Sequence, residues 1–383
     1  MESGMSMNSP YQIKDNIVYP DYTNSSVNLV NSLLKHYGCE SFHNGIEVLD
    51  EVLKQDHKHV FLIILDGMGT KIINSNLPKT SFLRSRHMMD ISAVYPCTTV
   101  AATTAIQSGK TPIETGWLGW HQYIPDIDQD ITLFTNTIYH TGEKFTEFIV
   151  SEKYLVYESI TTMIHKRGIK TVEIYPAFKQ DGAASFAEVC QRIAMIAQTD
   201  EKTCTYVYWD QPDETMHKTG CYSDKTKNEL LMIDQDLKQL SEILDDDCLL
   251  LITPDHGMID VEEVSLKQYP LILECLLREV SFETRCNNFF VKEDKFDQFE
   301  KEFKDHFPDF ILMSKQEVLA KGLFGSGEAH PMVDKMIGTH LAMAIGKRII
   351  KHENNVEFSF KAHHAGLSTE EMIIPLIVYD KAI

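Results

Sequence analysis

The chain is short of cationic charge, of paired cysteines and of long apolar runs. Lys and Arg total 36 against 56 Asp and Glu, a net charge of -20, which removes the long-range attraction that draws a protein to a nucleic acid polymer or an anionic membrane. A small anionic substrate stays compatible with that balance where metal ions supply positive charge locally. None of the eight cysteines, at 39, 97, 190, 204, 221, 248, 275 and 286, stands in a Cys-x-x-Cys pair. That excludes a disulfide framework and a thiolate metal site, and predicts reduced thiols. No segment reaches the roughly 18 uninterrupted apolar residues of a membrane span, and the first ten residues hold no apolar leader core. The expectation is a cytoplasmic protein. No internal repeat or low-complexity tract appears.

What is present is an ordinary globular composition, 43% hydrophobic over 383 residues, enough for one large domain or a domain carrying an insertion. Apolar runs at His59 to Leu65, Thr203 to Trp209 and Cys248 to Thr253 read as buried strands. Each runs into acid: Asp66-Gly67-Met68-Gly69, Asp210 to His217 with Asp213 inside it, and Pro254-Asp255-His256-Gly257-Met258. A helical pattern at Ser25 to Tyr37 reads as scaffold, and those at Leu155 to Lys166, Ala184 to Gln198 and Lys225 to Leu244 suit crossovers. The fold expected is α/β, a three-layer α/β/α sandwich around a mostly parallel sheet. Residues 262–335 change texture, with short strands such as Asn287 to Lys292 and a charged helical run from Asp294 to His306. They predict an inserted α+β subdomain, leaving 1–57 as an N-terminal scaffold segment and 58–261 with 336–383 as the core.

In open α/β sheets ligands sit at the carboxyl ends of the strands. Asp66, Asp213, His217, Asp255, His256, His363 and His364 are oxygen and imidazole donors suited to zinc, with manganese or iron as alternatives. Each alone reads as well as a turn carboxylate or a hydrogen-bonded histidine. Together they supply about the six ligands that two metals about 4 Å apart require, an arrangement suited to phosphoryl transfer. The stretch Tyr95 to Gly109, reading Tyr-Pro-Cys-Thr-Thr-Val-Ala-Ala-Thr-Thr-Ala-Ile-Gln-Ser-Gly, is either a Thr-rich helix cap or an anion cradle holding a hydroxyl nucleophile. After it, Trp117, Trp120, His121 and Tyr123 form either a stacking wall for a flat leaving group or a packed rim. Lys110, His330 and His340 read as solvated or structural, and Asp245-Asp246-Asp247, preceding a strand, lies at the opposite edge.

The motifs Leu65-Asp66-Gly67-Met68-Gly69, Pro96-Cys97-Thr98-Thr99, Pro212-Asp213-x-x-x-His217, Asp255-His256-Gly257-Met258 and His364-Ala365-Gly366 fall in an order that resembles the alkaline phosphatase superfamily, and in detail its type I phosphodiesterase and nucleotide pyrophosphatase branch. The resemblance implies two divalent metals, zinc foremost. Asp66, Thr99, Asp255 and His256 would hold one, and Asp213, His217 and His364 the other. Thr99 would be the nucleophile, being three residues after Pro96, and His364 rather than His363 the ligand, because it precedes Ala365-Gly366. Thr98, Trp120 and His121 are the substrate-binding candidates. The implied substrate is a small phosphodiester or nucleotide pyrophosphate. The rivals are a phosphomonoesterase, phosphonate hydrolase or phosphomutase of the same superfamily, and a non-catalytic nucleotide- or phosphate-binding relative. Three departures stand out: Ala102 is matched to an Asn that touches the phosphoryl oxygen, Ala365 replaces a Gly, and no Arg near Thr99 resembles the phosphate-clamping Arg of the monoesterases.

Overall fold

Runs with apolar side chains on both faces are stable only between two covering layers, and the computed structural model, which describes residues 12–14, 16–352 and 359–381, arranges them so. In chain order the elements that matter are helix α1 (Ser26–His36), strands β1 (His59–Leu65) and β2 (His87–Ser92), helix α2 (Thr99–Ser108), strand β3 (Lys170–Ile174), helix α3 (Phe186–Ala197), strand β4 (Thr203–Trp209), helices α4 (Asp213–Thr219) and α5 (Asp224–Ile243), and strands β5 (Cys248–Thr253) and β6 (Ile373–Asp380). The six strands form one sheet in the order β2-β6-β5-β1-β4-β3. β5, β1, β4 and β3 pair in parallel, and β6 runs antiparallel to both β5 and β2. Five strands therefore share one direction.

The alternation of side chains along each strand divides the core. Val60, Leu62, Ile64 and Leu249 pack with Leu33 of α1 and Ile106 of α2; Phe61, Ile63, Leu250 and Ile252 pack with Val189 of α3 and Ile233 of α5. This is the three-layer α/β/α sandwich expected. Where the sequence pattern predicts one helix from 155 to 166, the chain forms Val150–Tyr154 and Ile160–His165 instead, because the Ser159 hydroxyl accepts from the Thr162 N–H and starts the second piece.

A second, antiparallel sheet stands beside the first. Its order is Phe310–Ser314, His340–Ala344, Cys286–Phe289, Ser281–Phe282, His121–Ile124, Gln129–Thr132 and Thr137–Ile138. It reaches beyond the expected insert at both ends. His340–Ala344, read as core, pairs along its whole length with Cys286–Phe289 and Phe310–Ser314, and the hairpin at 121–138 joins through Phe282 opposite His121. An open strand edge recruits partners by backbone hydrogen bonding irrespective of their place in the sequence. Helix Phe296–His306 covers this sheet with Phe299 and Phe303. Among the described residues no helix is long and apolar enough to cross a membrane.

Candidate active site

Because β1, β2, β4 and β5 point the same way, the residues that follow them meet at one sheet edge. Asp66 follows β1, Asp255 and His256 follow β5, Asp213 and His217 lie one turn apart on α4 after β4, and Thr99 opens α2 after β2. The turns are built for close approach. Gly67, at φ +73°, turns its N–H to Asp255 Oδ1 at 3.3 Å. A Cβ on Gly257 would stand 1.9 Å from the Glu370 carbonyl oxygen, so the residue after His256 must be glycine for the two loops to pass.

Thr99 Oγ1 lies 3.4 Å from Asp66 Oδ2 and 3.2 Å from His256 Nε2. His256 Nε2 is 3.4 Å from Asp66 Oδ1 and 3.5 Å from Asp255 Oδ2. His217 Nε2 is 3.3 Å from Asp213 Oδ2, and His364 Nε2 is 3.9 Å from Asp213 Oδ1. Each of the three rings turns its Nδ1 to a backbone carbonyl: His256 to Gly257 at 2.9 Å, His217 to Ala362 at 2.8 Å, His364 to Cys97 at 3.1 Å. A proton held there leaves the Nε2 lone pair facing the acids, which is how metal-binding histidines are oriented. His363 is held differently: its Nδ1 turns to the backbone of its neighbour, 2.9 Å from the His364 nitrogen and 3.2 Å from the His364 carbonyl oxygen.

The acids fit cations. Asp66 Oδ1, Asp213 Oδ1 and Asp255 Oδ2 are buried oxygens without any hydrogen-bond partner, a costly state unless positive charge answers it. Burial, and then the charges of Asp255 and Asp213, hold the Asp66 carboxyl well above the usual range. Burial also pushes Asp213 upward, but the charge and hydrogen bond of His217 outweigh it and hold that carboxyl below its ordinary value. His364 is lowered well below the usual imidazole range by burial and by its histidine neighbours, so it is neutral and able to bind a metal. The tightest groupings are Asp66, Asp255 and His256, and Asp213, His256 and His364. His256 thus borders both sets, whereas the motif order gives it to the first alone. On the side to which the motif order assigns it, His256 Nε2 lies 3.4 Å from Asp66 Oδ1 and 3.5 Å from Asp255 Oδ2.

Thr98 occupies the N-cap position of α2 without capping it; its hydroxyl donates to Glu283 Oε1 at 2.7 Å. The same oxygen accepts the Trp120 N–H at 2.7 Å. Burial pushes the Glu283 carboxyl up to about 7, against the lowering effect of those two bonds. Thr103 turns its hydroxyl back onto the Thr99 carbonyl at 2.6 Å. Ala102 packs with Val27, Val94 and Ala101 on the far side of α2. Its matching to a phosphoryl-contacting Asn is therefore corrected: a side chain there faces helix α1, away from Thr99.

A cavity of about 1180 Å³ opens on Thr99, Asp66 and Asp213. One wall carries Gln107, Tyr157, Tyr175, Tyr206, Tyr208 and Phe178; the other carries Trp120, His121, Thr132, Phe134, Tyr139 and Glu283. Trp120 meets Phe134 edge-on at 5.5 Å, and His121 stacks on Tyr139 at 3.4 Å between ring centroids. Trp117 instead donates its indole N–H to the Leu155 carbonyl in the core, and Tyr123 lies under Arg278. Lys110 sits over Phe42, His330 against Gly116, and His340 between Phe296 and Phe299, all outside the cavity wall. Reasoning from sequence missed Tyr208, whose hydroxyl donates to Asp66 Oδ2, and Glu283. The alternation of β4, with Tyr206 and Tyr208 two residues apart on one face, carried the signal for the first; a lone acid between two short strands carried none for the second.

The sequence profile of the type I phosphodiesterase / nucleotide pyrophosphatase family matches residues 60–306. A search of curated protein sequences finds no match. Among solved structures, murine ectonucleotide pyrophosphatase / phosphodiesterase 5 superposes with a TM-score of 0.63 at 16% identity, covering 83% of this chain and 87% of that one. An inactive threonine-to-alanine variant of the murine protein in complex with AMP gives the same TM-score and identity, with 84% and 87% covered. Phosphonoacetate hydrolase from Sinorhizobium meliloti 1021, in complex with phosphonoformate, gives 0.60 at 12% identity, with 83% and 89% covered. At such identities the likeness establishes the fold.

Proposed function

This chain belongs to the type I phosphodiesterase / nucleotide pyrophosphatase family and is a phosphoric ester hydrolase, and on that premise we propose that it cleaves small phosphodiesters or nucleotide pyrophosphates through Thr99, with two divalent metals. What carries the reading is Thr99 Oγ1 at the start of α2, 3.4 Å from Asp66 Oδ2 and 3.2 Å from His256 Nε2, beside acids with orphaned oxygens. Asp66, Thr99, Asp255 and His256 would hold one metal and Asp213, His217 and His364 the other, zinc being the ion this donor set suits best. Bound there, such ions neutralise phosphoryl charge and favour the ionised hydroxyl.

The residues divide the work. Thr99 Oγ gives its proton to solvent water and forms a bond to phosphorus as the bond from phosphorus to the leaving oxygen breaks; the leaving oxygen takes a proton from water. A second water then attacks phosphorus, the bond from phosphorus to Thr99 Oγ breaks, and the proton that this water loses passes to Thr99. The first N–H groups of α2 have no partner within the helix and face the phosphoryl oxygens. Trp120 and His121 border the leaving group on the cavity wall. The eight unpaired cysteines, seven of them buried, support a reducing, cytoplasmic setting.

Thr99→Ala tests the nucleophile. Metal content and melting temperature should match the wild type while turnover falls at least about a hundredfold. Wild-type turnover in that variant refutes the assignment. A panel of diesters, pyrophosphates, monoesters and phosphonates separates the reaction class: rapid monoester cleavage with no diester cleavage rejects the diester reading.

A further inference from the structure

Glu283 sits where the two sheets meet, at the end of Ser281–Phe282, and it is 5% exposed. Its Oε1 is fixed by the Thr98 hydroxyl and the Trp120 N–H, both at 2.7 Å, so the carboxyl cannot swing away from the nucleophile's neighbour. Among the described residues the hydrogen bonds of its carboxyl all fall on Oε1, and Glu283 lines the same cavity as Thr99 and Trp120. Cations are scarce along that wall. Among the described residues no arginine lines the cavity; of its two lysines, Lys351 pairs with Glu263 at 2.9 Å and Lys179 lies over the Tyr175 ring on the wall opposite Glu283.

We propose that Glu283 is a specificity-determining residue: its free carboxylate oxygen faces the phosphoryl group and selects singly charged phosphodiesters over doubly charged phosphomonoesters. The inference rests on the assignment of Thr99 as the nucleophile. A monoester dianion brings one more negative charge than a diester to the same position. Thr99 and Glu283 are both buried at the cavity floor, and between buried groups a like charge penalises that extra charge far more than it does in bulk solvent. Where a guanidinium would welcome a dianion, this wall offers a carboxylate.

Glu283→Gln keeps the acceptor oxygen for Thr98 and Trp120 and removes the charge. Because burial pushes the Glu283 carboxyl up to about 7, the comparison is made at a pH about two units higher, where the carboxyl is ionised. With a monoester and a diester that share one leaving group, the ratio of monoester to diester kcat/KM should there rise roughly tenfold or more. Glu283→Asp, which keeps the charge, should stay near the wild-type ratio. A residue that only clasps Thr98 and Trp120 would lower both substrates alike, so an unchanged or falling ratio in Glu283→Gln overturns the proposal. Thr284→Lys gives a second route. The Thr284 hydroxyl is buried, unpartnered and on the cavity wall, and an ammonium there offsets the carboxylate without touching the clasp, so it should raise the ratio too. Failure of the underlying reading looks different: wild type that cleaves no diester rejects the diesterase assignment before any variant is compared.

Discussion

Ala365 has a φ of +86°, a left-handed backbone that costs a residue bearing a Cβ about 1 kcal/mol or more. It lies between His364, whose ring it helps aim at Asp213, and Gly366, whose N–H donates to Glu371 Oε1 at 2.7 Å. The sequence comparison already marks Ala365 as a departure from Gly, but the backbone angle that gives the departure a consequence is invisible without the fold. Ala365→Gly should raise the unfolding free energy by about 1 kcal/mol, read from urea denaturation; a loss of stability would mean that the turn is not strained. The same scale separates neighbours. Thr98 from Thr99, and His363 from His364, differ in sequence only by offset from a motif. In the structure they differ by hydrogen bonding: Thr98 to Glu283, Thr99 to Asp66 and His256, His364 Nδ1 to the Cys97 carbonyl, and His363 Nδ1 to the backbone of His364.

Strands β1, β4 and β5 are legible residue for residue because burial on both faces demands unbroken apolar runs. The second sheet is not, since its strands are only two to five residues long and two of them, Ser281–Phe282 and Thr137–Ile138, are single dipeptides, too short for a period to register. One buried ion pair ties its junction with the core. Arg285, following Glu283, sends Nε to Glu371 Oε1 and an Nη to Oε2, both at 2.7 Å, and Glu371 in turn holds Gly366 and Ser368. Arg285→Met removes one partner of a fully buried pair, and stability should fall by about 3 to 5 kcal/mol in chemical denaturation. A change below about 1 kcal/mol would show that the pair is dispensable. In the sequence Arg285 and Glu371 are 86 residues apart, and nothing local links them.

For the whole molecule, the direction of five strands turns scattered motifs into one site: Asp66, Thr99, Asp213 and Asp255 lie far apart in the chain and share an edge because their strands share a sense. That convergence was readable in advance, as each strand carries its acid at the same end. The cavity's second wall was not, because it comes from a sheet assembled across residues 121–138 and 281–344. A net charge of -20 with three orphaned buried acid oxygens at the site's centre makes positive charge the missing complement. Anomalous diffraction from crystals grown with zinc measures this directly. The account predicts two metal peaks per chain, one among Asp66, Thr99, Asp255 and His256, the other among Asp213, His217 and His364. A single peak, or peaks remote from Thr99, would contradict it.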